Sequence, residues 1–123
     1  MKSAKDYLAD ANAVVPKVAV EDGIAQHAAG DAVFIDVRDG KDIEETGTIA
    51  GAVHIPRGLI EFAADDSTPL HNPVLAKDAA IMIVCKAGGM AALTGKTLID
   101  MGYKNVSNVG GFQAWKDAGG PTE

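Results

Sequence analysis

The stretch Ala79-Ala80-Ile81-Met82-Ile83-Val84-Cys85-Lys86-Ala87-Gly88-Gly89-Met90 decides how this chain is read. Its first six residues are apolar with no polar alternation, the pattern of a strand buried on both faces of a parallel sheet. Open parallel sheets bind ligands outside the carboxyl ends of their strands, and Cys85 stands where this strand runs out. Gly88 and Gly89 allow a tight loop whose amide N–H groups curl inward. A helix from about Met90 then aims its N-terminus at the sulfur. Such an environment, with Lys86 adding charge, favours the thiolate, the reactive form of cysteine. Position alone fits an inert buried cysteine equally well, because cysteine is among the most buried residue types. The glycine loop and helix start shift the reading to a nucleophile, since an inert core thiol needs no ring of backbone donors.

Outward from this unit the same alternation recurs. Ala32 to Val37 is a second apolar run, with no polar alternation until Asp36 near its end, and Gly51 to Pro56 and Asn105 to Val109 read as shorter strands. Helical patterns lie between and around them: Ser3 to Val15, stopped by Pro16; Glu21 to Gly30; a short one after Asp39; Gly58 to Ala64; Met90 to Met101; and Phe112 to Ala118. Lys17-Val18-Ala19 is a short extended piece, and Asp65 to Pro73 a surface loop. Strands alternating with helices predict an α/β domain around a central, mostly parallel sheet flanked by helices. The tail Gly119-Gly120-Pro121-Thr122-Glu123 is expected to be frayed or loosely docked.

The 123 residues, 47% apolar, suit one compact domain. A formal charge of −6 leaves no electrostatic footprint for nucleic acid or an anionic membrane, so neither is an expected partner. One cysteine makes no internal disulfide and no multi-cysteine metal site, which fits a reduced, cytoplasmic setting. The N-terminal residues lack the apolar stretch of a secretory signal, and the longest apolar run is too short to span a bilayer, so a soluble protein is expected. His27 and His71 have no metal-ligand spacing, and no cofactor is implied.

Four blocks together carry a resemblance: Asp36-Val37-Arg38; Gly47-Thr48-Ile49-Ala50-Gly51-Ala52-Val53-His54-Ile55-Pro56; the strand, cysteine and loop around Cys85; and Gly110-Gly111-Phe112-Gln113-Ala114-Trp115. In this order they resemble the rhodanese (sulfurtransferase) family. The resemblance covers residues 17–123 as a three-layer domain and leaves residues 1–16 as an N-terminal helical extension. It implies that Cys85 is the catalytic nucleophile, taking sulfane sulfur from a small anionic donor such as thiosulfate or a persulfide and passing it to cyanide or a thiol. It implies no metal. The loop Lys86, Ala87, Gly88, Gly89 and Met90 would bind the donor, while Asp36 and Arg38 would pin loops near the site through an ion pair. Many members carry an arginine five residues after the cysteine; here that residue is Met90, and Lys86 and Arg57 are the basic residues that would substitute. The related phosphatase and arsenate-reductase class needs arginine six residues after the cysteine, where this chain has Ala91.

The remaining singled-out residues have plainer readings. His54 is expected to be half-buried and bonded to backbone, Trp115 and Phe112 to be core, and Asp42, Glu44 and Glu45 to form a solvated acidic face. Three functions stay open: an active sulfurtransferase, a persulfide carrier that hands sulfur only to a protein partner in a sulfur relay, and an inactive scaffold.

Overall fold

Four parallel strands form the centre of the computed structural model, which describes residues 1–123. They are β1 (Val33–Asp36), β2 (Val53–His54), β3 (Ala80–Cys85) and β4 (Asn105–Gly111), in the spatial order β2-β1-β3-β4. The expected α/β architecture is what the chain adopts. The two strands read as buried on both faces, β1 and β3, are the two in the middle, where neighbours on either side satisfy their backbone groups.

Helices cover both faces. Ile81, Ile83 and Cys85 of β3 point to one side, into a core shared with Ile35, Val37, Ile55, Ile60, Ala91 and Leu98. This side is closed by α4 (Ile60–Ala63), entered through a 3₁₀ turn at Arg57–Leu59, and by α5 (Gly89–Asp100). Met82 and Val84 point the other way, into a core with Phe34, Val109, Phe112 and Trp115 under α2 (Val20–Ala29) and α6 (Phe112–Asp117). The period-two alternation of a strand thus assigns successive residues of one apolar run to two different cores. The short α3 (Gly40–Thr46) follows β1 at the same end of the sheet as Cys85.

The first helix, α1 (Ala4–Val14), starts on a capping box in which Ser3 and Asp6 each satisfy the other's backbone N–H. It packs on α5 through the fully buried Ala11, and Val15 lies against Gly95, whose lack of a side chain permits the approach. The chain then runs alongside β4, with Val18 N–H donating to Asn108 and Asn108 N–H to Pro16. No helix is long and apolar enough to cross a membrane.

Two expectations are corrected. The tail is not frayed: Thr122 bridges Ile49, Thr48 and Glu123 exchange backbone hydrogen bonds of 2.9 Å, and the carbonyl of Pro121 accepts from Ala50 N–H and from Trp115 Nε1. Apart from Trp115 of α6, these partners lie in a loop with no periodicity, which composition does not reveal. His54 bonds the backbone carbonyl of Arg38 at 2.7 Å as expected, yet it is exposed, because β2 is the edge strand. Trp115 and Phe112 are core, packed with Phe34.

Candidate active site around Cys85

Cys85 ends β3 and is 1% exposed, so its sulfur sits beneath the following loop. The loop turns at Gly88, whose φ of 100° and ψ of −17° suit glycine, and α5 starts on the next residue. Two amides reach the sulfur: Gly88 N–H at 2.9 Å and Ala91 N–H at 3.4 Å. The N–H groups of Lys86, Ala87, Gly89 and Met90 find no acceptor within the chain. The first turn of a helix leaves such donors over, and together with the helix dipole they favour negative charge at this spot.

The loop is held against β4. Cys85 pairs with Gly111, and a side chain at Gly111 would strike the carbonyl oxygen of Lys86. Asn108 is 5% exposed and faces the loop, its Nδ2 donating to Gly88 O at 3.0 Å while its Oδ1 accepts from Gly110 N–H at 2.8 Å. The sequence reading passed over Asn108. Its one signal was a carboxamide two residues before a Gly-Gly pair at the end of a strand.

Asp36 and Arg38 form a buried ion pair at the end of β1, with Nη2 to Oδ2 at 2.8 Å. Asp36 also accepts from Arg38 N–H and Thr48 Oγ1, and Arg38 donates to Thr46 Oγ1 and the Gly47 carbonyl. The guanidinium lies 4.6 Å from the centre of the Phe112 ring. Every polar group of the pair is therefore engaged, as a buried pair requires, and the pair ties residues 46–48 to the sheet.

The three basic residues that the sequence singles out, Arg38, Lys86 and Arg57, are not assembled on the sulfur. Arg38 is held by Asp36. Lys86 lines a cleft of about 180 Å³ with Arg38, Asp42, Glu45 and Phe112, on the α6 side of the sheet, whereas Cys85 belongs to the core on the α5 side. Arg57 pairs with Glu61 at 3.1 Å and donates to Thr97 Oγ1 at 3.2 Å. Thr97 lies seven residues beyond Met90 on α5, about 10 Å further along the helix. Met90 itself packs against the apolar core that contains Cys85. The sulfur thus has backbone donors around it and no side-chain cation.

Known proteins resemble this chain to different extents. The chain is 33% identical over 86 residues to the "Adenylyltransferase and sulfurtransferase UBA4" of Meyerozyma guilliermondii, a match covering 69% of this chain and 20% of that protein. The chain therefore spans about a fifth of that relative's length. Among solved structures, a Rhodopseudomonas palustris protein of unknown function, described as a possible tyrosine phosphatase, superposes with a TM-score of 0.95 at 39% identity, covering 100% of this chain and 96% of that one. The Rhodanese_3-like domain of an Anabaena protein gives 0.63 at 30% identity, covering 75% of this chain and 98% of that domain. The family model of the rhodanese-like domain matches residues 20–118, a span that contains all four strands, the Asp36–Arg38 pair and the cysteine loop. On that match and that geometry, this chain belongs to the rhodanese-like domain family.

Proposed function

We propose that the protein is a sulfurtransferase in which Cys85 carries sulfane sulfur as a persulfide, with a persulfide rather than thiosulfate as its preferred donor. The observation that carries this reading is the cysteine sulfur under two backbone N–H groups at a helix start, with Met90 where an anion-gripping arginine would stand. The Cys85 thiolate attacks the outer sulfur of a donor R–S–SH. The donor S–S bond breaks, R–S⁻ leaves and takes up a proton, and the outer sulfur stays on Cys85. Cyanide or an acceptor thiolate then attacks that sulfur, forming thiocyanate or a new persulfide and returning the Cys85 thiolate. Both covalent states place negative charge among the loop amides, which are already oriented before reaction.

The choice of donor follows from charge. Thiosulfate would bring a sulfonate to a sulfur whose surroundings are backbone amides and apolar side chains, without a charge-assisted partner to offset desolvation. A persulfide presents only its sulfur end. The same lack of a cation supports a second reading, in which the domain carries sulfur for a protein partner and turns over little free donor. Steady-state transfer from a small persulfide to cyanide, well above a Cys85→Ser control, would exclude that version. A reduced, cytoplasmic setting suits either reading, as does a domain of residues 17–123 with residues 1–16 as a helical extension.

The description of the Rhodopseudomonas relative raises phosphoryl transfer as well. The phosphatase class needs an arginine six residues after the cysteine, and in this chain that position is Ala91, fully buried and engaged through its N–H with the sulfur, with no side chain to hold a phosphoryl group.

Intact-mass measurement tests the proposal. After incubation with a small-molecule persulfide and removal of excess donor, the wild-type protein should gain one sulfur atom and Cys85→Ser none. No gain in the wild type would end the catalytic reading.

A further inference from the structure

We infer that Asn108 is a positioning residue that aims the Gly89 N–H at the sulfur carried by Cys85; this rests on the persulfide reading above. Asn108 sits on the same face of the sheet as Cys85, paired in register with Ile83, two residues before the cysteine. Immediately beyond it the register slips, so that Val84 is opposite Gly110 and Val109 is the extra residue. The Asn108 side chain spans this irregularity, taking Gly110 N–H on Oδ1 and giving Nδ2 to Gly88 O. The two partners fix the amide's orientation, because a flipped carboxamide would set oxygen against oxygen and N–H against N–H.

Gly88 O accepts a second bond, from Ala92 N–H at 3.0 Å, so both of its lone-pair directions are used. The chain has no cis peptide, and in a planar trans peptide the carbonyl and the N–H point in opposite directions. Holding Gly88 O toward β4 and the body of α5 therefore turns the N–H of the same peptide, that of Gly89, away from both and out of the helix start. That N–H has no acceptor in the chain. The neighbouring peptide supplies the Gly88 N–H that already contacts Sγ. A glycine with φ near 100° followed by a second glycine has little intrinsic preference for one peptide orientation, so the peptide is held by its partners: Ala92 N–H from within α5 and Asn108 Nδ2 from β4. Only a group that donates and accepts at once, across this span, can hold Gly88 O and Gly110 N–H together.

Asn108→Asp is the informative variant, being the same size. As a carboxylate it keeps the Gly110 bond but presents an oxygen to Gly88 O; once protonated it regains a donor and restores both contacts. The titratable groups facing this position are Lys17, which lines the groove beside Asn108, and Cys85 beneath the loop. Lys17 favours the carboxylate form, so rescue by acid should shift to higher pH in the Asn108→Asp/Lys17→Ala double variant. Single-turnover loading of Cys85 from a small-molecule persulfide should be about tenfold slower than wild type at pH 8 in Asn108→Asp. The loss should lie in the rate at saturating donor rather than in the donor concentration needed. The ratio of variant to wild-type rate, in which pH effects common to both proteins cancel, should climb toward one as pH falls.

Amide NMR gives a readout that needs no sulfur transfer. On raising pH to ionise Cys85, the Gly89 resonance should move in wild type and stay still in Asn108→Asp, with Asn108→Ser as the substitute should the aspartate variant fail to fold. Loading at the wild-type rate, a pH-independent ratio, or a Gly89 shift that survives the substitution would overturn the inference while leaving sulfur transfer intact. A wild type that takes up no sulfur would instead remove the persulfide reading, and the Gly89 shift would still decide whether Asn108 sets the peptide.

Discussion

At the scale of single residues, Met90 is the position where this chain commits itself. An arginine there would stand at the start of α5 with its guanidinium free to reach an anion beside Cys85. Methionine instead leans on the core, and none of Arg38, Lys86 and Arg57 takes over, each being held or turned elsewhere. Met90→Arg should therefore create what the loop lacks. A charge-assisted hydrogen bond contributes roughly 1.5–3 kcal/mol, so kcat/KM for thiosulfate should rise by about 10- to 100-fold, mainly through a lower KM. Met90→Lys should give a smaller gain, because an ammonium lacks the fork geometry that matches a sulfonate. Thiosulfate kinetics in the two variants check this, and an unchanged kcat/KM in Met90→Arg would show that donor choice is set elsewhere.

At the scale of elements, the site is the junction of three: the end of β3, the start of α5, and the irregular end of β4 that braces the loop between them. Gly111 is where β4 and the loop come closest. A methyl group there would meet the Lys86 carbonyl, which is backbone and cannot swing aside like a side chain. Gly111→Ala should therefore displace the loop, lowering stability by about 1–3 kcal/mol and sulfur loading at least about tenfold. Gly58→Ala, at an exposed position where a methyl would meet nothing, is the control and should change neither. Urea denaturation with single-turnover loading separates the two effects, and wild-type loading by Gly111→Ala would sink the idea that close packing here shapes the cradle. This division also explains what was legible beforehand. Strand β3, the cysteine and the glycine turn follow from local pattern, since a continuous apolar run and paired glycines act within a few residues. The Asp36–Arg38 pair was accessible through the resemblance of its block. The contact of Gly111 with Lys86, the Asn108 clamp and the direction taken by Lys86 depend on strand register and on which face each residue occupies. A one-residue slip in β4 changes the first two, and no local signal records it.

At the scale of the whole molecule, the end of the sheet opposite Cys85 is closed by Tyr103, which follows α5 and leads into β4. Its buried hydroxyl donates to the carbonyls of Ala64 and Leu75, at 2.8 and 3.2 Å, and so ties both ends of the long 64–75 connection to the core. Burial pushes the phenol's pKa above its usual 10.0, and the negative charges of Asp66 and Asp65 add to the rise. Folding thus favours the neutral phenol over what the unfolded chain would hold. The sign of the pH dependence follows: Tyr103's contribution is fully present below the unfolded pKa and is lost as pH rises through the folded one. Tyr103→Phe removes the hydrogen bonds, costing about 1 kcal/mol, and also removes this titration. The stability difference between wild type and Tyr103→Phe should therefore be constant up to about pH 10 and shrink above it, while ionisation of lysines affects both proteins alike. Urea unfolding of both proteins from pH 8 to about pH 11 measures that difference. A gap that stays constant across the range would mean that the hydroxyl is not held neutral by the fold, and that the 64–75 connection is secured by its apolar contacts alone.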